Sequence, residues 1–198
     1  MGFAVAHPLA GQKALDALQS GIDRGLVGFG EFLPQAQGYT LKEDSWLKVV
    51  ELAINCKVPI NLHVTEPVGK SYKGRIETPL ADYQWLAQNY PECTFIFAHW
   101  GGLLPFYELN PAVKQALSNV YYDTAASPLL YDKSIYRRVV DTIGSDRILF
   151  GTDYPLLLKP GNSRTPSFTP ILEELNAASL SEQEVTAILS GNARKLFI

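Results

Sequence analysis

Six short apolar runs rich in β-forming residues recur along the chain: Phe3–Ala6, Leu26–Phe32, Val58–Val64, Cys93–Ala98, Val120–Tyr122 and Arg147–Gly151. Stretches with helical spacing separate them. This alternation constrains the fold more than any other feature. A strand apolar at consecutive positions, such as Phe95-Ile96-Phe97, offers no polar face to water and fits a strand covered on both sides. Strands that alternate with helices at this spacing form parallel βαβ units. No linker or low-complexity segment divides residues 1–198, so the expectation is one parallel α/β domain.

The helical stretches carry their own start and stop signals. Ala14, Leu15, Leu18 and Ile22 fall on one helical face. Thr40 with Glu43 forms a capping box before Trp46, Leu47, Val50 and Ile54. Thr78 followed by Pro79 reads as an N-cap and first helical position before Leu80, Tyr83 and Leu86. Ile135, Val139 and Ile143 form a further stripe that Gly144 closes. Ser181 with Glu184 is a second capping box, flanked by Leu180 and Val185 as a hydrophobic staple. Leu157 to Pro170, rich in Pro, Gly and Ser, reads as a surface loop after the last strand and a candidate cover for a site.

Composition narrows the class of function. The 198 residues are 46% hydrophobic and 19% charged, an ordinary globular balance. A net charge of -3 supplies no basic stripe for a phosphate backbone, so no nucleic-acid partner is expected. The two cysteines, Cys56 and Cys93, lack metal-type spacing and read as reduced thiols of a cytoplasmic protein. The start MGFAVAHPLAG lacks a basic leader, and no apolar run approaches the ~20 residues of a membrane span. A soluble protein is expected.

The polar residues that end the apolar runs carry the chemistry. His7 follows FAVA, Glu31 follows LVGFG, His63 follows PINL and His99 follows TFIFA. Asp123 follows VYY, and Asp153 follows ILFGT. All three histidines of the chain are in this set. In parallel α/β folds, ligands gather at the C-terminal ends of the strands. Each residue also has a plainer role. A lone strand-end histidine is commonly hydrogen-bonded and structural. Asp123 fits the start of a turn, Glu31 can face a helix N-terminus, and Asp153 can cap the chain as it leaves the strand. Jointly, two imidazoles and a carboxylate on one rim suit Zn²⁺ or a similar divalent ion. Such an ion would offset the cost of an Asp153 charge at the mouth of an apolar strand. Gly101, Gly102 and Gly151 leave room for close backbone approach to that site, and Pro155 ends the strand.

The motifs NLHV, AHWGG, DRILFGTDYP and GNARKLF resemble the amidohydrolase superfamily. The branch is the amidohydrolase-related group that includes aminocarboxymuconate-semialdehyde decarboxylase, and the likeness runs from about Phe3 to the C-terminus. The resemblance implies a TIM-type (β/α)₈ barrel with a mononuclear divalent metal, usually zinc. It implies that His63 is the fifth-strand metal ligand. His99 is then the sixth-strand histidine that works on metal-bound water or as acid/base. Asp153 is the eighth-strand aspartate, a metal ligand that also accepts a proton. Glu31 falls on the fourth strand, where other branches place a metal-bridging acid. The implied activity is that of a metal-dependent hydrolase or carboxy-lyase on a small carboxylated or aromatic molecule. Arg75, Lys159 and Arg164, in loops on the relevant side, are candidates to hold its charge, against the plainer reading of solvated surface charges.

One part of the family pattern is missing. The family begins with a strand carrying His-x-His, and this sequence has none. The six runs therefore correspond to strands three to eight, a partial barrel. Two explanations stand: Met1 lies inside a longer reading frame, or the chain is a truncated paralogue. His7, at the end of the third strand, is placed to line the substrate pocket or to serve structure. A barrel that needs eight strands does not close with six, and unpaired edges invite association. A homo-oligomer is expected on that ground. The alternatives are thus a catalytically impaired fold that associates through its open edge, and a metal-dependent nuclease resting on Glu31.

Overall fold

The computed structural model describes residues 1–72, 75–158 and 165–198. Five parallel strands, β1 (Phe29–Phe32), β2 (Ile60–Leu62), β3 (Phe95–Phe97), β4 (Val120–Asp123) and β5 (Ile148–Leu149), lie side by side in chain order. Their ladder is in register from Ile60↔Phe95 to Phe95↔Val120 and Tyr122↔Ile148. Helices over Gln12–Asp23, Asp44–Cys56, Leu80–Asn89, Pro111–Ala116 and Ile135–Ile143 fill the intervals. Neighbouring parallel strands need such crossovers, and repeating them in one direction builds the wall of a barrel. Among the described residues β1 and β5 do not pair with each other, so the wall is open.

The sixth expected strand, Phe3–Ala6, shrinks to a single bridge between Ala4 and Phe29. Ala4 donates to the Gly28 carbonyl at 2.8 Å and accepts from Gly30 N at 2.9 Å. The ladder stops there because the chain turns into a short helix at Pro8–Ala10, capped by the His7 side chain. The last expected strand also shortens, from Arg147–Gly151 to Ile148–Leu149. Phe150 N leaves the sheet to donate to the Ile188 carbonyl at 3.1 Å. Asp153 therefore sits four residues beyond the strand end, half-buried rather than at its mouth.

The core lies where the periodicity put it. Phe95, Ile96 and Phe97 are all buried. Trp46, Val50, Leu86 and Leu18 from three helices pack over the sheet with Phe29 and Tyr122. A second cluster gathers Trp100, Tyr136, Val139 and Ile188 around Ile148. Truncating one of these aromatic anchors to alanine costs about 3–5 kcal/mol in typical cores.

The caps divide. Ser181 and Glu184 make the full reciprocal box, and Gly144 ends its helix with a φ of 82°. Thr40 and Glu43 make half a box: Glu43 Oε1 accepts from Thr40 N at 3.0 Å, while the helix itself has no side-chain cap. Thr78 does not cap the Leu80–Asn89 helix. Its hydroxyl is taken by Thr65 instead. The Leu157–Pro170 loop ends earlier than expected, since a helix begins at Thr169, and residues 159–164 lie outside the described residues.

Candidate metal centre

β1 delivers Glu31, the end of β2 delivers His63, and the residue pair after β3 delivers His99. One donor atom from each, a Glu31 carboxylate oxygen and one nitrogen from each imidazole, lies within 4.8 Å of the others. His63 Nδ1 is 3.0 Å from Glu31 Oε1 and 3.2 Å from His99 Nε2. His99 Nε2 is 3.9 Å from Glu31 Oε1. Exposure falls across the set, from 39% for the Glu31 side chain through 25% for His63 to 8% for His99, so the cluster opens to solvent on the Glu31 side.

Hydrogen bonds assign the ring nitrogens. The Ala125 carbonyl, 3.2 Å from His99 Nδ1, can only accept, so Nδ1 carries a proton, and in the neutral ring Nε2 keeps its lone pair. Burial alone would raise the Glu31 carboxyl. The hydrogen bond from His63 and the nearby His99 and His63 charges outweigh it, and its pKa is lowered. Glu31 is thus held as a carboxylate. One carboxylate and two imidazoles aimed at a common point are the oxygen and nitrogen donors that divalent transition ions take. The donor set fits such an ion.

A strained turn places His99. His99, Trp100, Gly101, Gly102 and Leu103 all adopt positive φ, between 56° and 74°. Left-handed backbone at His99 and Trp100 costs energy that the surroundings must offset. Asp123 Oδ1 accepts from His99 N at 2.9 Å and from Ala125 N at 3.0 Å. Trp100 Nε1 donates to Ser127 Oγ at 2.7 Å. The glycines serve close approach, as expected, but to the chain itself. A Cβ on Gly101 would stand 2.6 Å from the Tyr122 ring, and one on Gly102 would stand 2.7 Å from the Thr65 carbonyl oxygen. Asp123 begins a turn, as its plainer reading held, and also fixes the His99 backbone. Burial pushes its carboxyl up, with the His99 charge and the two N–H donors pulling the other way; the net shift is upward.

The remaining candidates are not among the three mutually close donors. Asp153 is outside the three-donor group; it has a φ of 58°, and its carbonyl accepts from Leu156 N at 2.8 Å. His7 serves structure: Nδ1 accepts from Leu9 N at 3.3 Å, which leaves Nε2 to donate to the Gln37 carbonyl at 3.0 Å. Arg75 donates to the Glu66 carbonyl and helps line a cavity of about 500 Å³ with Gln84, Leu104 and Tyr107. Lys159 and Arg164 lie outside the described residues. Sequence reasoning missed Thr65, whose Oγ1 is 3.1 Å from His63 Nε2. The available signal was its place two residues after His63, since alternate residues of an extended segment share a face.

A family profile described as "Amidohydrolase" matches residues 1–197. The chain belongs to the amidohydrolase family. The resemblance read from its motifs holds, and the family is one of enzymes. A curated relative, 2-keto-4-carboxy-3-hexenedioate hydratase of Sphingobium sp. (strain NBRC 103272 / SYK-6), is 26% identical over 179 residues, 79% of this chain and 51% of the relative. The chain thus spans about half the length of that relative. A dihydroxybenzoic acid decarboxylase from Polaromonas sp. JS666, solved with manganese and 2-nitroresorcinol, superposes with a TM-score of 0.66 at 19% identity, covering 94% of this chain and 65% of that one. A Tim-barrel protein of Bordetella bronchiseptica superposes with a TM-score of 0.68 at 16% identity, covering 98% of this chain and 64% of that one. These likenesses show the fold: the open sheet is part of a TIM-type (β/α) barrel.

Proposed function

We propose that this amidohydrolase-family chain forms the metal-binding part of a hydrolase or carboxy-lyase acting on a small carboxylated or aromatic molecule. The observation that carries the reading is the convergence of Glu31, His63 and His99 donor atoms within 4.8 Å. Glu31, His63 and His99 would hold a divalent ion, with zinc the first candidate and manganese, present in the Polaromonas decarboxylase, the second. When bound, the ion supplies Lewis-acid polarisation and a more acidic water. The chain's own residues do the rest. Ala125 keeps a proton on His99 Nδ1, so His99 acts through Nε2. Asp153, half-buried beyond β5, is the base that accepts a proton. Hydratase and decarboxylase relatives support a carboxylated substrate class.

The test is metal content after dialysis against zinc or manganese, beside His63→Ala. About one ion per chain, lost in the variant, is expected. An ion-free wild type, or equal loading in the variant, overturns the reading. Turnover is then scored on a panel of hydroxybenzoates and keto-dicarboxylates.

A second reading rests on the open sheet. β1 and β5 do not pair with each other among the described residues, and a wall left open in this way favours association with a second copy or a complementing partner. Light scattering that finds only monomer would remove it. A cytoplasmic location belongs to the same proposal, supported by the two free thiols Cys56 and Cys93. Among the described residues no helix is long and apolar enough to cross a membrane.

A further inference from the structure

Thr65 stands where the parts of the candidate centre meet. Its hydroxyl oxygen is 3.1 Å from His63 Nε2. Both of its backbone groups are clasped by one side chain: Thr65 N donates to Thr78 Oγ1 at 2.7 Å, and Thr78 Oγ1 donates to Thr65 O at 2.9 Å. That carbonyl is also the atom against which Gly102 of the His99 turn packs. Thr65 and Thr78 are 2% and 4% exposed, so water does not compete for these bonds. The β-branched side chain has few rotamers. A fixed backbone and a stiff χ1 together hold the hydroxyl at one distance from the ring.

The imidazole has two nitrogens, and only one is aimed at the donor cluster. His63 Nδ1 faces Glu31 Oε1 and His99 Nε2, while Nε2 faces only Thr65 Oγ1 among the hydrogen-bonding contacts of the described residues. Without an ion, the Glu31 carboxylate draws the ring proton to Nδ1, and the Thr65 hydroxyl donates to Nε2. With an ion on Nδ1, the ring proton must sit on Nε2, and the hydroxyl must accept it. A hydroxyl does both from one atom; a backbone N–H, a methyl or a carbonyl does not. The ring keeps one proton throughout, moved from Nδ1 to Nε2 by way of solvent.

We propose that Thr65 is a positioning residue whose hydroxyl accepts the Nε2–H of His63 when Nδ1 takes a metal, with Thr78 as the clasp that holds it in place. The proposal rests on the metal-binding reading above. Its range of effect is that of hydrogen-bond partners behind a ligating histidine, about 10–100-fold in affinity.

The experiment compares zinc affinity by competition with a chromogenic chelator for the wild type, Thr65→Val and Thr65→Ser. Valine keeps the shape and removes the hydroxyl; serine restores it. Expected is about 10–100-fold weaker binding for valine, with unchanged thermal midpoint and circular dichroism, and rescue toward wild type by serine. Nitrogen-15 imidazole spectra of the zinc-loaded wild type are expected to show His63 protonated at Nε2. This readout holds even if the valine variant folds poorly. Wild-type affinity in folded Thr65→Val, or an Nδ1–H tautomer in the zinc-loaded protein, overturns the proposal and leaves the metal centre standing. A wild type that binds no zinc overturns the metal centre itself, and this proposal with it.

Discussion

Two polar clusters are built into the same sheet, and they are made differently. At the start of β5, Arg147 pairs with the buried Glu108 and also donates to the Leu117 and Val120 carbonyls at 2.8 and 3.0 Å. Tyr122 OH donates to the other Glu108 oxygen at 2.8 Å. Donors meet acceptors and opposite charges meet, so nothing is left for a ligand. Beyond the C-terminal ends of β2 and β3 the reverse holds. Glu31 Oε1, His63 Nδ1 and His99 Nε2 are three ligating atoms crowded together, with a single ring proton among them when both histidines are neutral. The first cluster ties β5 into the sheet; the second is a set of donors that could hold a cation. Buried groups of complementary type indicate structure, and convergent groups of one type indicate a site.

Breaking the closed cluster has the largest expected effect. Arg147→Met leaves Glu108 buried and unpaired, and the loss is about 3–5 kcal/mol of stability, read as a lower urea midpoint with zinc stoichiometry kept in the folded fraction. Breaking the open cluster acts on the other quantity. Glu31→Gln keeps the shape but removes the anionic ligand, and zinc affinity falls by about 100-fold or more, beyond what loss of an outer partner causes. Its urea midpoint moves little, because Glu31 is partly solvated. Equal stability losses in the two variants would erase the distinction between the clusters.

The smallest effect sharpens it with pH. Glu184 is half-buried at the surface, and the Arg137 guanidinium and the Ser181 N–H hold its carboxyl down to about 2. Its folded pKa lies below the ordinary 4.5, so its contribution is complete above that value and is lost as pH falls toward 2. Glu184→Gln is therefore expected to flatten the acid limb of the stability curve slightly and to leave the neutral region alone. A thermal-melt series from pH 7 to about 2 reads this. An unchanged acid limb would show that the half-buried pair contributes nothing there.

Much of the candidate site is legible in the sequence. Glu31, His63 and His99 each ended an apolar run, and each ends up on the same rim. The clasp of Thr65 by Thr78 was not legible, because Thr78 is thirteen residues away and looked like an ordinary helix cap. Asp153 was assigned to a strand mouth, yet β5 ends at Leu149 and the chain turns to Ile188. Local pattern cannot see a hydrogen bond that pulls a strand end out of its sheet.

The order of strands and helices, the buried faces and the chemical types at the rim follow from the sequence by itself. Periodicity and apolar content act on neighbours in the chain, and those neighbours are written there. Which donor atoms face one another, which proton each ring keeps and which hydroxyl stands behind His63 were decided only by tertiary structure. Those choices depend on distances of about 3 Å between segments far apart in sequence, and only packing sets such distances.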